Sequence, residues 1–115
     1  MLFLVELDHV KSGMTMTPEA GRTFIEHFIF PTLARAEQLV AEKTIVAGGA
    51  VPGRVALRFI ADADSLQDID RMITSLPLWP LAETCVTPLI SFGDRREHAQ
   101  DILQRYMAMS SQETA

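Results

Sequence analysis

The sequence predicts an α+β fold: one four-stranded antiparallel sheet carrying helices, in the order β-α-β-β-α-β, followed by a C-terminal helix. Three observations predict it. Residues 1–10 are apolar on both parities, with Phe3, Val5 and Leu7 on one side and Leu2 and Leu4 on the other, as in a strand covered on both faces. Two apolar runs flank Pro52-Gly53, which marks a hairpin turn. Residues 17–43 and 64–75 repeat their apolar side chains at helical spacing. With a last strand over residues 83–92, these elements form the split βαβ, or ferredoxin-like, arrangement.

The elements follow in order. Glu6, Asp8 and His9 break the apolar pattern near the end of the first strand, and residues 11–16, with Ser12-Gly13, read as a connector. Thr17-Pro18-Glu19 is a helix start: threonine caps, proline fits the first helical position, and the acid suits the positive end of the helix dipole. Phe24, Ile25, Phe28 and Ile29 set the periodicity, which Leu33, Ala36, Leu39 and Val40 continue past Pro31. One long helix to about Lys43, kinked or restarted near Pro31, is therefore expected. Residues 44–51 read as a strand with an irregularity at Gly48-Gly49, either a bulge or a close backbone approach. Residues 54–61 form its hairpin partner.

Asp64, with Gln67 three positions on, is the expected cap of the second helix, whose buried stripe is Leu66, Ile69, Met72, Ile73 and Leu76. Leu76-Pro77-Leu78-Trp79-Pro80 ends it, because each proline lacks an N–H and forces the preceding residue out of the α region. Leu78 and Trp79 are large and apolar on a turn, so they must cover a core edge or a cavity mouth. Pro88 within the last strand argues for an edge position or a bulge. A C-terminal helix from Gly93-Asp94 to about Met109 presents Ile102, Leu103, Tyr106 and Met107 on one side, and residues 110–115 are expected to fray.

A chain of 115 residues suffices for one domain, placed at residues 1–92, with residues 93–115 as helix and tail. Hydrophobic residues make up 48% of it, which suggests subunit interfaces as well as a core. The second apolar face of the first strand needs a cover that so short a chain cannot supply. A homodimer at least is expected, with sheets face to face and tails exchanged between subunits. The net charge of −5 argues against a nucleic-acid partner. A single cysteine, Cys85, excludes an internal disulfide and a cysteine-based zinc site, and it reads as a small buried hydrophobe. His9, His27 and His98 fall in three different elements, so no metal site is expected, and no glycine pattern matches a nucleotide-binding loop. No apolar run is long enough for a membrane span, and the N-terminus lacks the pattern of a signal peptide, so a cytoplasmic location is expected.

Four features together resemble the muconolactone isomerases of the dimeric α/β-barrel superfamily. They are the opening Met1-Leu2-Phe3, the Thr17-Pro18 helix start, the glycine-containing hairpin, and Ser65 followed by Leu76-Pro77-Leu78-Trp79-Pro80 before the last strand. The likeness spans residues 1–92 and is tightest in the last of these stretches. It implies a small, metal-free and cofactor-free isomerase of aromatic catabolism, which moves a proton and with it a double bond on a butenolide ring, and which assembles as dimers or larger rings. The family's histidine in the first strand corresponds to Leu4 here, a basic residue two places on to Glu6, and its aromatic and basic residues before the hairpin to Thr44-Ile45-Val46. The polar pocket is thus altered.

Proton transfer beside a lactone carbonyl needs a base and a donor for the enolate oxygen. His27 and Glu26 on the first helix and Glu6 on the first strand are the candidate bases. Arg58, on an otherwise apolar strand face, is the candidate carboxylate holder, with Trp79 and Phe28 as pocket walls and the small carboxylate substrate as ligand. Each has a plainer reading: His27 as a boundary histidine with an ordinary hydrogen bond, Arg58 in a sheet-edge or interface ion pair with an acid such as Glu6 or Glu83, Glu6 and Asp8 in a subunit-interface salt bridge or simply exposed, Trp79 sealing the core edge. His9, near a strand end, is expected to be exposed, and His98 lies in a solvated charged run. Two rival functions stand beside the isomerase: a non-catalytic small-molecule binder or assembly module, and a cofactor-free monooxygenase on the same fold.

Overall fold

A computed structural model describes residues 1–10 and 16–113. The expected connector lies, apart from Met16, outside them. Strand β1 (Leu2–His9) runs through the middle of an antiparallel sheet ordered β2-β3-β1-β4, with β2 (Ile45–Ala50), β3 (Ala56–Asp62) and β4 (Ala82–Leu89). This is the predicted ferredoxin-like order. Phe3, Val5 and Leu7 are fully buried on the helix-covered face. Val5 lies opposite Phe59 on β3 and opposite Val86 on β4, so three strands contribute to one apolar layer.

The first helical segment has three parts: α1 (Pro18–Phe24), a π-helical turn (Ile25–Ile29) and α2 (Phe30–Ala41). The Thr17 hydroxyl caps α1 by accepting from the Ala20 N–H at 3.1 Å. Pro31 explains the π turn. It has no N–H for the carbonyl four residues back, so the ladder widens and the Phe30 N–H bonds to the Ile25 carbonyl instead. The expected kink thus falls just ahead of the proline. Beyond Ala41, Lys43 takes a left-handed conformation, φ 64°, and the Thr44 N–H bonds back to the Leu39 carbonyl at 2.9 Å, which stops the helix and turns the chain into β2.

In β2 the register shift lies between Ile45 and Ala47, before the glycines. Gly48 instead supplies the close approach: at φ 129°, a Cβ there would sit 2.3 Å from the Arg58 carbonyl oxygen. The hairpin closes through the Val51 N–H to the Ala56 carbonyl at 3.0 Å, with Gly53 at φ 75°.

Helix α3 (Leu66–Thr74) is capped by Ser65, whose hydroxyl accepts from the Asp68 N–H at 3.1 Å, and not by Asp64. Asp64 stands one residue outside the capping position. Ile69, Met72, Ile73 and Leu76 form the buried stripe as expected, but Leu66 is 56% exposed. Side chains lean toward a helix's N-terminus, so a first-turn leucine points past the end of the core. After α3 the chain makes a short 3₁₀ turn (Trp79–Leu81). Leu78 is buried, while Trp79 is 41% exposed. The Leu78 N–H donates to the Thr32 hydroxyl at 2.9 Å, inside the structure, and so ties this turn to α2.

β4 is an edge strand, which suits Pro88. It ends at Leu89, short of the expected 92. Cys85 is exposed and not buried, because it lies opposite Glu6 on the sheet face that no helix covers. The C-terminal helix α4 (Phe92–Glu113) runs four residues beyond the expected Met109. The Ser91 hydroxyl caps it by accepting from the Asp94 N–H at 3.0 Å. It stands away from the sheet: the molecule measures 76 × 34 × 24 Å, and its radius of gyration is 20.7 Å. A compact chain of this length would have about 13 Å.

Two substitutions test these constraints by chemical denaturation. Gly48→Ala should destabilise the fold by at least ~1–3 kcal/mol, since the added carbon meets backbone at a positive φ. Thr32→Val, nearly isosteric, should cost ~1–3 kcal/mol by leaving the buried Leu78 N–H without an acceptor.

Candidate active site

Where the first helical segment passes over the β2–β3 end of the sheet, it leaves a cavity of about 410 Å³. Phe24, Ile25, Ile29 and Leu33 roof it, while Val55 and Leu57 rise from β3 and the segment before it. Ile25 and Ile29 open and close the π turn, so the wider turn caused by Pro31 sets the roof. Thr32 and Leu78, already joined by their hydrogen bond, also line the cavity. Arg54 is the charged side chain on the lining.

Arg54 belongs to a chain of charges that crosses the end of β1. Its guanidinium donates to Asp8 Oδ1 at 2.8 Å. Arg58 donates to both Asp8 carboxylate oxygens, each at 3.1 Å, and to the Leu57 carbonyl at 2.9 Å. Its Nε also lies 3.5 Å from Glu6 Oε1. The strand register produces this arrangement. Glu6 is directly opposite Arg58, and Asp8, two residues on, shares their face within reach of both arginines. Asp8 is therefore an acceptor held between two cations, with both oxygens used. Arg54 spends one donor on it, and with 60% of its side chain exposed it keeps others for an incoming anion.

His9 is half-buried rather than exposed. Its ring packs against Phe24 with centroids 4.8 Å apart, and its backbone N–H bonds to the Val55 carbonyl at 2.9 Å. Both neighbours line the cavity, so His9 stands next to it, although it is not itself on the lining. The sequence held the signal: His9 has the parity of Phe3, Val5 and Leu7, which points toward the helices. Arg54 gave none, because it follows a turn whose geometry decides where the side chain goes.

The six residues singled out from the sequence are distributed as follows. Glu6 and Arg58 come together on the uncovered sheet face, partnered as above. Glu26 pairs with Arg22 at 2.9 Å on the outer side of the first helical segment, and His27 beside it is exposed. Phe28 is half-buried, 6.0 Å from Phe24 between ring centroids, on a shallower depression lined also by Thr17 and Thr23. Trp79 lies on the 3₁₀ turn. Among the described residues, none of the six lines the larger cavity. Also among the described residues, no group of three His, Cys, Asp or Glu could hold a metal ion, and no helix is long and apolar enough to cross a membrane.

If Asp8 holds both arginines, Asp8→Asn should lower stability by about 1–2 kcal/mol, measured by urea denaturation, since one acceptor would lose its charge to two donors. The loss should shrink as salt is raised, because the cluster is partly exposed.

Comparison with known proteins agrees with this architecture. One solved structure, of muconolactone isomerase, is similar over 79% of this chain and 90% of its own, with TM-score 0.61 and 22% sequence identity. Another is the 5-chloro-2-hydroxyhydroquinone dehydrochlorinase of Burkholderia phenoliruptrix AC1100 in complex with 2,5-dihydroxybenzoquinone. It is 21% identical over 82% of this chain and 98% of its own, with TM-score 0.58. At these identities the likeness is one of fold. No curated protein sequence matches. The muconolactone delta-isomerase family model matches residues 1–95, which takes in the whole sheet, the cavity and the first turn of α4. With the strand order, the helix cover and the Leu76-Pro77-Leu78-Trp79-Pro80 turn all in place, the chain belongs to the muconolactone delta-isomerase family.

Proposed function

We propose that this protein is a cofactor-independent isomerase that shifts a proton on a lactone bearing a carboxylate, and that the cavity under the π turn is its active site. The observation that carries the reading is an apolar chamber with Arg54 at its edge, in a chain of this family. A butenolide ring suits the apolar interior, and its carboxylate arm pairs with Arg54. His9 is the base: it takes the ring proton from the carbon bearing the arm, giving a dienolate, and returns it to the carbon beside the ring carbonyl. The double bond moves and no electrons leave the substrate, so no redox partner is needed. The Thr32 hydroxyl, whose oxygen already accepts from Leu78, keeps its O–H to donate to the enolate oxygen. In this reading Arg58 and Glu6 act by fixing Asp8, which in turn orients Arg54.

The test is proton NMR of muconolactone with the purified protein in deuterated buffer. Enzyme-dependent deuterium uptake or movement of the ring double bond is expected. His9→Gln should reduce that rate by ~10²–10⁴-fold, and Arg54→Gln should act mainly by raising KM. An unchanged rate in His9→Gln would remove His9 as the base. No exchange at high protein concentration would remove muconolactone as the substrate, and a thermal shift with lactone acids would then favour the binding-module reading.

We propose further that copies of the chain assemble. The uncovered sheet face carries Leu2 and Leu89, 42% and 38% exposed, and α4 leaves Leu103, Tyr106 and Met107 more than half exposed. Apolar surface on this scale favours burial by another copy. Truncation after Phe92 should lower the assembly mass measured by light scattering. An unchanged mass would reject α4 as the basis of assembly.

A further inference from the structure

The cavity is both larger and more apolar than a butenolide with a single carboxylate arm requires. A closed pocket of ~150 Å³ lined by aliphatic and aromatic side chains accommodates a benzene ring, whereas this one, open to solvent on one side, measures about 410 Å³. Its charged lining group stands at one place, Arg54, which is anchored outward to Asp8. Away from that point the walls are Phe24, Ile25, Ile29, Leu33, Val55 and Leu57, and they offer no partner for the hydroxyl, carboxylate or carbonyl groups of a small polar metabolite. Thr32 adds one polar group, whose O–H serves a single oxygen of the ring. A butenolide with its carboxylate arm fills only part of this surface, and the remainder is apolar wall suited to a further apolar group.

We infer that the substrate is a lactone acid carrying an alkyl or aryl substituent of several carbons, with its carboxylate on Arg54 and its apolar tail filling the space between the π turn and Leu33. This rests on the reading of the cavity as the active site, and it specifies the substrate class. Ile25 and Ile29 select for the tail, because the π turn that Pro31 imposes brings both onto the roof. Arg54 supplies affinity common to every acid, and the apolar wall supplies the discrimination between them.

The experiment uses the intact protein and saturated γ-lactone acetic acids, which bind without turning over. The ring carries hydrogen, propyl, pentyl or heptyl, and affinity is read by titration calorimetry. Affinity should rise about fourfold per added methylene until the chamber is full, as expected for burial of each methylene. In Leu33→Trp, which fills the chamber, the rise with chain length should disappear while the unsubstituted acid still binds. Affinity that is flat or falls with chain length would overturn the inference, and so would a rise that persists unchanged in Leu33→Trp. The muconolactone exchange measurement is independent of this series. Exchange without a chain-length gain leaves the isomerase reading and removes the substituted substrate. A chain-length gain without exchange of muconolactone removes muconolactone as substrate and leaves the cavity as a site for lactone acids with apolar tails.

Discussion

One buried hydrogen bond, from the Leu78 N–H to the Thr32 hydroxyl, fixes α2 against the turn that follows α3. Thr32 sits in α2, in the first half of the chain; Leu78 follows α3, in the second. Neither helix is covalently near the other, and their apolar stripes alone would allow them to slide across the sheet, because hydrophobic packing has little direction. A hydrogen bond does have direction, and an unmade one in the interior is costly. It therefore sets where α2 stands relative to the proline-rich turn. Since Thr32 and Leu78 both line the cavity, the same bond sets the depth of the chamber. The proline-rich turn thus contributes to the cavity wall through Leu78.

β1 divides the protein into two chemistries. Its odd-numbered residues, from Phe3 through Leu7, lie under the helices in an apolar layer; Glu6 and Asp8 lie on the other side and organise two arginines. The two faces meet at the end of the strand, where His9 turns toward Phe24 and Asp8 reaches around to Arg54. A site needs both kinds of surface, an apolar wall to receive a ring and a charged group to orient it. The end of a central strand is where one short segment can supply both.

The fold was legible in the sequence because its signals are redundant. The double parity of β1, the Thr17-Pro18 cap, the proline-stopped α3 and the hairpin turn each point to the same topology, and the errors were local. Ser65 caps in place of Asp64 because a helix boundary one residue off changes which side chain lies in range. Leu66 is exposed because periodicity gives a face but not where the core ends. The bulge at Val46 carries no side-chain signature, whereas the crowding at Gly48 does, since only the absence of a Cβ tolerates it. The candidate site was less legible. Pairing of Arg58 with Glu6 followed from strand parity, but the cavity depends on a π turn and on Arg54 after a hairpin turn. Neither is written in a residue pattern. His9 was readable by parity and was hidden by its place at the end of a strand.

β1, an inner strand of the sheet, is also the first of the four strands in the chain, and it is the last to gain both of its neighbours. β1 pairs with β3, and Leu2 lies opposite Leu89 on β4, so its final partner arrives only after β2, β3 and α3 have been made. Contacts this distant in sequence close slowly, because the loop entropy must be overcome before pairing is rewarded. Until then β1 exposes Leu2, Phe3, Leu4, Val5 and Leu7 on both of its surfaces. A nascent chain in that state is prone to pair with the wrong edge or with a neighbour. The property that makes β1 the best scaffold in the folded protein makes it the point of greatest risk during synthesis.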